Sequence, residues 1–510
     1  MKNLFMNHRS VKSLVFAIAL VAAASCKKGS NNNGGSSASI TAKIDSAGVT
    51  TGAAEGLNYT GANTDDTYTS TDFPTTVSIA FFPGGATVTP AIANGVTITQ
   101  TGGNVVVTAT GSGIQYMVSG STSNGSLKIY SDKKFLVTLN NATIINLTGP
   151  AVNIQSKKRA FISVADGTTN TLSDGATYAS STEDQKGTIF SEGQIVFGGT
   201  GTLKVSGNYK HAICSDDYVR IVSGNININR SVSDGIHTNN AVFVDGGTIN
   251  ITAGSDGIEA EAGNIIINGG NLNITSGGKG IRTSYTGTDG SIARYIVING
   301  GNINVKSTTD EGISSKGSLT INKGNISSFA SDDAFKADSA IYVNGGYVFA
   351  NSTANDGMDS NGIFDLNGGT VVAIGAPVTE SGIDCDDRQF KITGGQLIAT
   401  GGSTSAPSAT STINSVVLGA GTAQIIHIQS TTGTEALTFQ APATYATLVF
   451  ASAKLKSNTA YNVYTGGSVN SPVNFRGLFT GGTYKAGTKS STTFTTGSVV
   501  TKVGGIIATN

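Results

Sequence analysis

The chain has no tryptophan, only eight prolines, three cysteines and four histidines in 510 residues, and 13% of it is charged. The absence of Trp weakens the case for a flat aromatic platform of the kind that binds cellulose. Three cysteines cannot supply a disulfide framework for so long a chain. The formal net charge is zero, and it becomes −3 once the first 25 residues, with Lys2, Arg9 and Lys12, are set aside. Nothing in that balance attracts nucleic acid. Runs of period 3.6 rich in good helix formers are also missing, which excludes a helical solenoid.

Glycine is abundant instead, with 68 residues. Between about 216 and 402 one phrase recurs. A short apolar run ends in a Gly-Gly-type turn: VFVDGG (242–247), IIINGG (265–270), IVINGG (296–301), LTINKG (319–324), IYVNGG (341–346), IFDLNGG (363–369) and FKITGG (390–395). A second alternating run follows, then a polar turn and a hydrophobe, as in SDGI at Ile236 and Ile258 or NDGM at Met358. The closing Gly falls at 224, 247, 270, 301, 324, 346, 369 and 395, mostly 22 or 23 residues apart. A fixed period in this range marks stacked repeats. Strand side chains alternate faces, so Val242/Val244, Ile265/Ile267 and Ile341/Val343 form one inward column. Ile249, Leu272 and Ile303 form a second, and Ile236, Ile258 and Ile281 a third. Three short strands per period describe a three-sheeted parallel β-helix of about 22–23 residues per coil, whose coils bury their inward rows only by stacking.

The expected organisation follows in order. Residues 1–25 read as a secretion signal, with a basic start and the apolar core Leu14 to Ala24, too short for a comfortable membrane span. It ends at Ala23-Ala24-Ser25-Cys26, which resembles a lipobox, so Cys26 is the expected lipidation point; ordinary cleavage is the alternative. Residues 26–39 form a flexible Gly/Ser/Asn tether. Residues 40–76 read as an irregular cap or entry segment, 77–440 as the β-helix and 441–510 as a small C-terminal β cap. The protein is then expected to be a monomer on the bacterial envelope, on the surface of the outer membrane, touching the bilayer through its lipid alone. Cys214 and Cys385 lie seven coils apart, roughly 34 Å at about 4.8 Å per coil, and should be free thiols.

The phrases TGPAVNIQSKKRAFISVADGTTNTLSDG (148–175), TIFSEGQIVFGGTGTLKVSGNYKHAICSDD (188–217), the DGI…NGG coils and the tail at 449–467 and 477–505 together resemble bacterial "carbohydrate-binding domain-containing" surface proteins. The resemblance implies a right-handed parallel β-helix that binds acidic plant polysaccharide of the polygalacturonate type, and also cellulose, with calcium on its outer wall. The fold it implies is shared with pectate lyases, although the family is described as binding rather than cleaving.

The residues can be read beside that resemblance. In each coil's third segment alternation puts two positions outside: His237/Asn239, Glu259/Glu261, Arg282/Ser284, Ser314/Lys316, Lys336/Asp338, Asp359/Asn361 and Asp384/Asp386. The turn before adds Asp234, Asp256, Asp332/Asp333 and Asp356. Carboxylates one coil apart stand about 5 Å from one another and repel unless a cation intervenes. Calcium accepts six to eight oxygen ligands in loose geometry. The candidate ligands are Asp332, Asp333, Asp338, Asp356 and Asp359, then Asp384, Asp386 and Asp387, and separately Asp256, Glu259 and Glu261. The plain alternative is that Asp shapes these turns by bonding to backbone N–H groups. Arg282, Lys336 and Arg388 can pair with uronate carboxylates or with neighbouring Asp, and Tyr285 and Tyr342 can stack on sugars. The same three cations are the available bases for a pectate-lyase-type reaction, yet no catalytic cluster stands out. Binding without catalysis is expected, with a lyase and a passive adhesin or spacer as the alternatives. Outward Phe243, Ile266 and Val297 make an apolar strip that a loop or the N-terminal segment should cover. Outward Asn rows are expected to bond along the axis. His211 and His237, one coil apart beside Asp234, have a spacing that allows a shared metal.

Overall fold

The structure, a computed structural model, describes residues 40–508 apart from 47, 91–94 and 388. Cys26, the signal and the tether lie outside the described residues, as does Arg388. The repeat is a parallel β-helix with three sheets. The third is a ladder of 13 strands, ending at Ile383–Cys385. Register is fixed residue by residue: Ile258 pairs with Ile281 and Glu259 with Arg282, Val242 with Ile265, Ile249 with Leu272. All three inward columns are fully buried and merge into one continuous core. The closing Gly of each first turn has φ between 73° and 112°. That left-handed region strains any residue with a Cβ, which is why the period is written in Gly. Cys214 and Cys385 are buried and free.

The early end is closed by antiparallel hairpins, Thr75–Phe82 with Gly85–Thr89 and Val96–Thr101 with Gly103–Ala109, so among the described residues these parallel ladders end on an antiparallel strand. At the late end Thr447–Ser452 pairs antiparallel with both Gln396–Gly401 and Ser415–Leu418. The boundary expected at 440 moves. Ile425–Ser430 and Glu435–Gln440 are strands of a separate seven-stranded sheet with Ala460–Thr465 and Leu478–Lys485. Alternation alone does not distinguish a parallel coil from an antiparallel strand. This sheet packs on the outer face of the second sheet, where Phe349, Val372, Ile374 and Ile398 join Phe439, Phe450 and Leu437 in a second core.

Residues 40–74 form a strap rather than an end cap. Thr41–Ile44 pairs with Leu478–Lys485, and the chain then runs along the first sheet from late coils to early ones. Gly395 N–H donates to the Thr50 carbonyl and Gly52 N–H to that of Asn367. Asn344, Asn322, Asn299 and Asn268 each donate an amide hydrogen to a strap carbonyl, those of Glu55, Leu57, Tyr59 and Thr60. Their other amide hydrogen bonds to the same position one coil back, at 2.7–2.9 Å. Asn268, Asn299, Asn322 and Asn344, at the turn that closes each coil's first strand, are thus both a ladder and a clasp. Beneath the strap lie Ile266 and Val297, 1% and 0% exposed, so the apolar strip is covered as expected.

In the C-terminal sheet His427 is fully buried, stacked on Tyr484 with ring centroids 4.0 Å apart. Nδ1 and Nε2 reach Thr438 and Gln429. Burial pushes it down to about 4. A depressed His binds its proton less readily folded than unfolded, so stability is full above the ordinary value near 6.5 and falls as pH drops from there to about 4. The expected loss approaches about 3 kcal/mol at one residue. Denaturant midpoints at pH 7 and pH 4.5 measure it, and His427→Gln should flatten this part of the profile.

Candidate functional site

The third sheet's outer face carries the charge. Two residues before each inward hydrophobe stand His211, Asp234, Asp256, Lys279, Glu311, Asp333 and Asp356, and one residue after it stand His237, Glu259, Arg282, Ser314, Lys336, Asp359 and Asp384. The Asp residues of the first column staple coils together. Asp234 Oδ1 accepts the N–H of Asp256, Asp256 Oδ1 that of Lys279, and Asp333 Oδ1 that of Asp356, at 2.7–3.0 Å. Asp356 Oδ1 likewise accepts from Ser381 N–H. This is the turn-shaping role of Asp extended between coils.

The second oxygen of each staple faces the second column, and there the coils differ. Asp256 Oδ2 meets Arg282 at 3.1 Å, and the same guanidinium holds Glu259 at 2.9 Å. Asp333 Oδ2 meets Lys336 at 2.8 Å, and that ammonium also contacts Asp359. For Asp356 the facing residue is another acid, Asp359. No ion-pair partner of Asp356, Asp384, Asp386 or Asp387 is found among the described residues. Burial pushes Asp356 up to about 8, reinforced by Asp384, Asp333 and Asp359. It pushes Asp333 up to about 7 and Asp256 to about 6, against the pull of Lys336 and Arg282. Asp386 is raised too, by burial and then by Asp359 and Asp384. Carboxylate oxygens of Asp333, Asp356 and Asp359 lie within 4.8 Å of one another.

A second surface lies on the outer face of the second sheet. Asn227, Asn250, Asn273 and Asn304 bond in series at 2.7–3.2 Å, flooring a trough of about 550 Å³ with Thr252, Thr275 and Lys306 that ends at Phe329. Arg476 of the C-terminal sheet lies over Phe329 and Phe349.

Comparison with known proteins gives the chain its place. The family model described as "Carbohydrate-binding domain-containing protein" matches residues 101–352 and 292–470. The chain belongs to this family. A carbohydrate-binding domain-containing protein of Acetivibrio thermocellus is 29% identical over 118 residues, 22% of this chain and 41% of that protein. The match therefore spans less than half the relative's length. A solved structure described as the polysaccharide lyase-like protein from C. thermocellum, gadolinium derivative, is 24% identical with a TM-score of 0.38, covering 56% of this chain and 96% of that one.

On this carbohydrate-binding solenoid the candidate residues separate into groups. Asp333, Asp356 and Asp359 come together, with Asp384 in register beside Asp359. Asp384 Oδ1 accepts from Cys385 N–H and Ser405 Oγ, each at 2.9 Å. Asp386 and Asp387 are exposed. Asp338 leaves the group to pair with Lys316 at 3.1 Å, and Asp332 sits with Asp310 and Glu311. Asp256 and Glu259 share the single cation Arg282, while Glu261 is 62% exposed in its side chain beside His237. Arg282 and Lys336 are each bound to two carboxylates, the alternative to uronate pairing. Tyr342 is a strap contact: a Cβ on Gly56 would lie 2.5 Å from its ring. Alternation showed its outward direction but not the segment above it. Tyr285 packs under Arg294. Sequence reasoning missed the Asn clasp, whose signal was the Asn written before Gly-Gly in repeat after repeat.

Proposed function

We propose that the protein binds an acidic, uronate-type polysaccharide through calcium held by Asp356, Asp359, Asp384 and Asp386. The observation that carries this reading is charge. Of these four carboxylates only Asp359 has a cationic partner among the described residues, Lys336, which Asp333 also claims. All four donors are hard carboxylate oxygens, as calcium prefers, and their register places them on adjacent coils. The residues therefore fit the ion, which would neutralise the wall and offer remaining coordination positions to a sugar carboxylate. Family membership supports a carbohydrate ligand; the uronate and the calcium are inferred from the acidic wall and from the resemblance of the repeat phrases. Binding rather than lyase chemistry is supported by Arg282 and Lys336, since a cation fixed between two carboxylates is not a free base. Cys26 would anchor the chain to the outer membrane.

The test is retention on immobilised polygalacturonate with calcium and then with chelator, while ultraviolet absorbance follows unsaturated product. Retention only with calcium and a flat absorbance trace is the expected result. A rising trace would replace binding by lyase activity, and equal retention with chelator would remove calcium from the account.

A further inference from the structure

The strongest cluster outside the acidic wall's late coils is nitrogenous. His211 and His237 stack with centroids 4.2 Å apart and ring planes within 18°. Asp234 Oδ2 lies 3.0 Å from His211 Nδ1 and 3.1 Å from His237 Nδ1. Glu259 Oε2 lies 3.0 Å from the same His237 nitrogen. The four side chains are 2%, 12%, 4% and 10% exposed in the order His211, His237, Asp234, Glu259. We propose that His211 Nδ1, His237 Nδ1, Asp234 Oδ2 and Glu259 Oε2 form a binding site for a transition-metal dication of the zinc class.

Three features of the geometry argue for it. The first is spacing. Zinc bonds of about 2.0–2.1 Å in a tetrahedron set ligand atoms about 3.3 Å apart; the successive separations His211 Nδ1–Asp234 Oδ2, Asp234 Oδ2–His237 Nδ1 and His237 Nδ1–Glu259 Oε2 are 3.0, 3.1 and 3.0 Å, and potential ligand atoms of His211, Asp234 and His237 all lie within 4.8 Å of one another. The second is that the ligand oxygens are already selected. Asp234 gives its other oxygen to Asp256 N–H at 3.0 Å, and Glu259 gives its other oxygen to Arg282 at 2.9 Å. Each carboxylate thus presents one oxygen to the cluster. Glu261 Oε2 stands 3.6 Å from His237 Nε2, where a carboxylate commonly orients a metal-bound imidazole.

The third feature is an unresolved hydrogen count. His211 Nδ1 faces both the Asp234 carboxylate and, at 3.4 Å, the Asp234 N–H. Its Nε2 is buried without a partner. With the proton on Nδ1, that backbone N–H points at a donor. With the proton on Nε2, a lone pair faces a carboxylate at 3.0 Å. A metal at Nδ1 removes that lone-pair repulsion, and Nε2 then carries the proton, with no partner among the described residues. A dication at Nδ1 accepts the lone pairs of both imidazoles and balances the two carboxylates. Two nitrogen donors select a zinc-class ion over calcium, so this site is separate in residues and in metal from the one proposed above.

The experiment strips the purified protein with chelator, saturates its oxygen sites with millimolar calcium, and titrates zinc against a chromophoric indicator. One equivalent held at submicromolar concentration is expected. His211→Gln with His237→Gln should lose it, and exposed Glu261→Gln should weaken it about tenfold. Cobalt(II) added to the unmodified protein should show the visible bands of a tetrahedral nitrogen-containing site, a readout that needs no variant to fold. Zinc held equally by the double variant, or a wild-type protein that takes up no zinc and gives a featureless cobalt spectrum, would overturn the proposal.

Discussion

Replacing Asp66 by Ala is expected to destabilise the protein by about 3–5 kcal/mol, the cost of breaking a buried ion pair from one side. Asp66 is 4% exposed and sits in the strap's short 3-10 turn, Thr64–Asp66. It faces Arg159 Nε at 2.8 Å and Arg220 Nη1 at 3.3 Å, and accepts from Tyr218 OH at 2.5 Å. Both guanidinium groups are largely buried, so without Asp66 the carboxylate left to Arg159, beside the Tyr218 hydroxyl, is the distant Asp65, while Arg220 keeps Asp245 and the Gly61 carbonyl. The strap should then lift from the early coils, and the hydrophobic surface around Phe243 and Phe161 should bind an environment-sensitive dye. Asp65→Ala is the control. Its side chain is 76% exposed and 4.0 Å from Arg159, so the change should cost less than about 1 kcal/mol. Denaturant midpoints of the two variants read the difference, and equal midpoints would mean that the strap is not pinned at Asp66.

The second large effect is on ligand binding. Asp359→Asn with Asp384→Asn should reduce calcium-dependent retention on polygalacturonate at least about tenfold, about 1.4 kcal/mol of binding. The same pair of changes should leave the apoprotein no less stable. Lys336 keeps Asp333 at 2.8 Å, an Asn at 384 can still accept from Ser405, and repulsion with Asp356 is relieved. Function and stability thus move in opposite directions, which separates a ligand site from a structural charge ladder. If the double variant melts lower and binds as before, these carboxylates hold the coils together and do nothing for the ligand.

Much of this was legible in the chain. The period, the three inward columns and the outward direction of Asp359 and Asp384 follow from alternation and Gly spacing, because each coil repeats the same local choice. Phe243 was legible as outward and as covered, because an apolar strip on the outer wall calls for a segment over it; Tyr342 was legible as outward but not as covered, since the strap above it lies far away in sequence. Asp338 and Asp332 were grouped with Asp333 by proximity in the chain. The structure parts them because adjacent residues point to different sides of a turn, where Lys316 and Asp310 are the nearer partners. Ile425–Gln440 alternates as a coil does, but pairs antiparallel, and pairing direction is set by tertiary packing.

The most direct measurement of the central claim is calorimetric titration of the calcium-loaded protein with oligogalacturonate, free and fully methyl-esterified. A calcium bridge between protein and sugar carboxylates requires binding to the free acid and at least about a tenfold loss on esterification. Equal affinity for the two, or binding of the free acid undiminished by chelator, would contradict it.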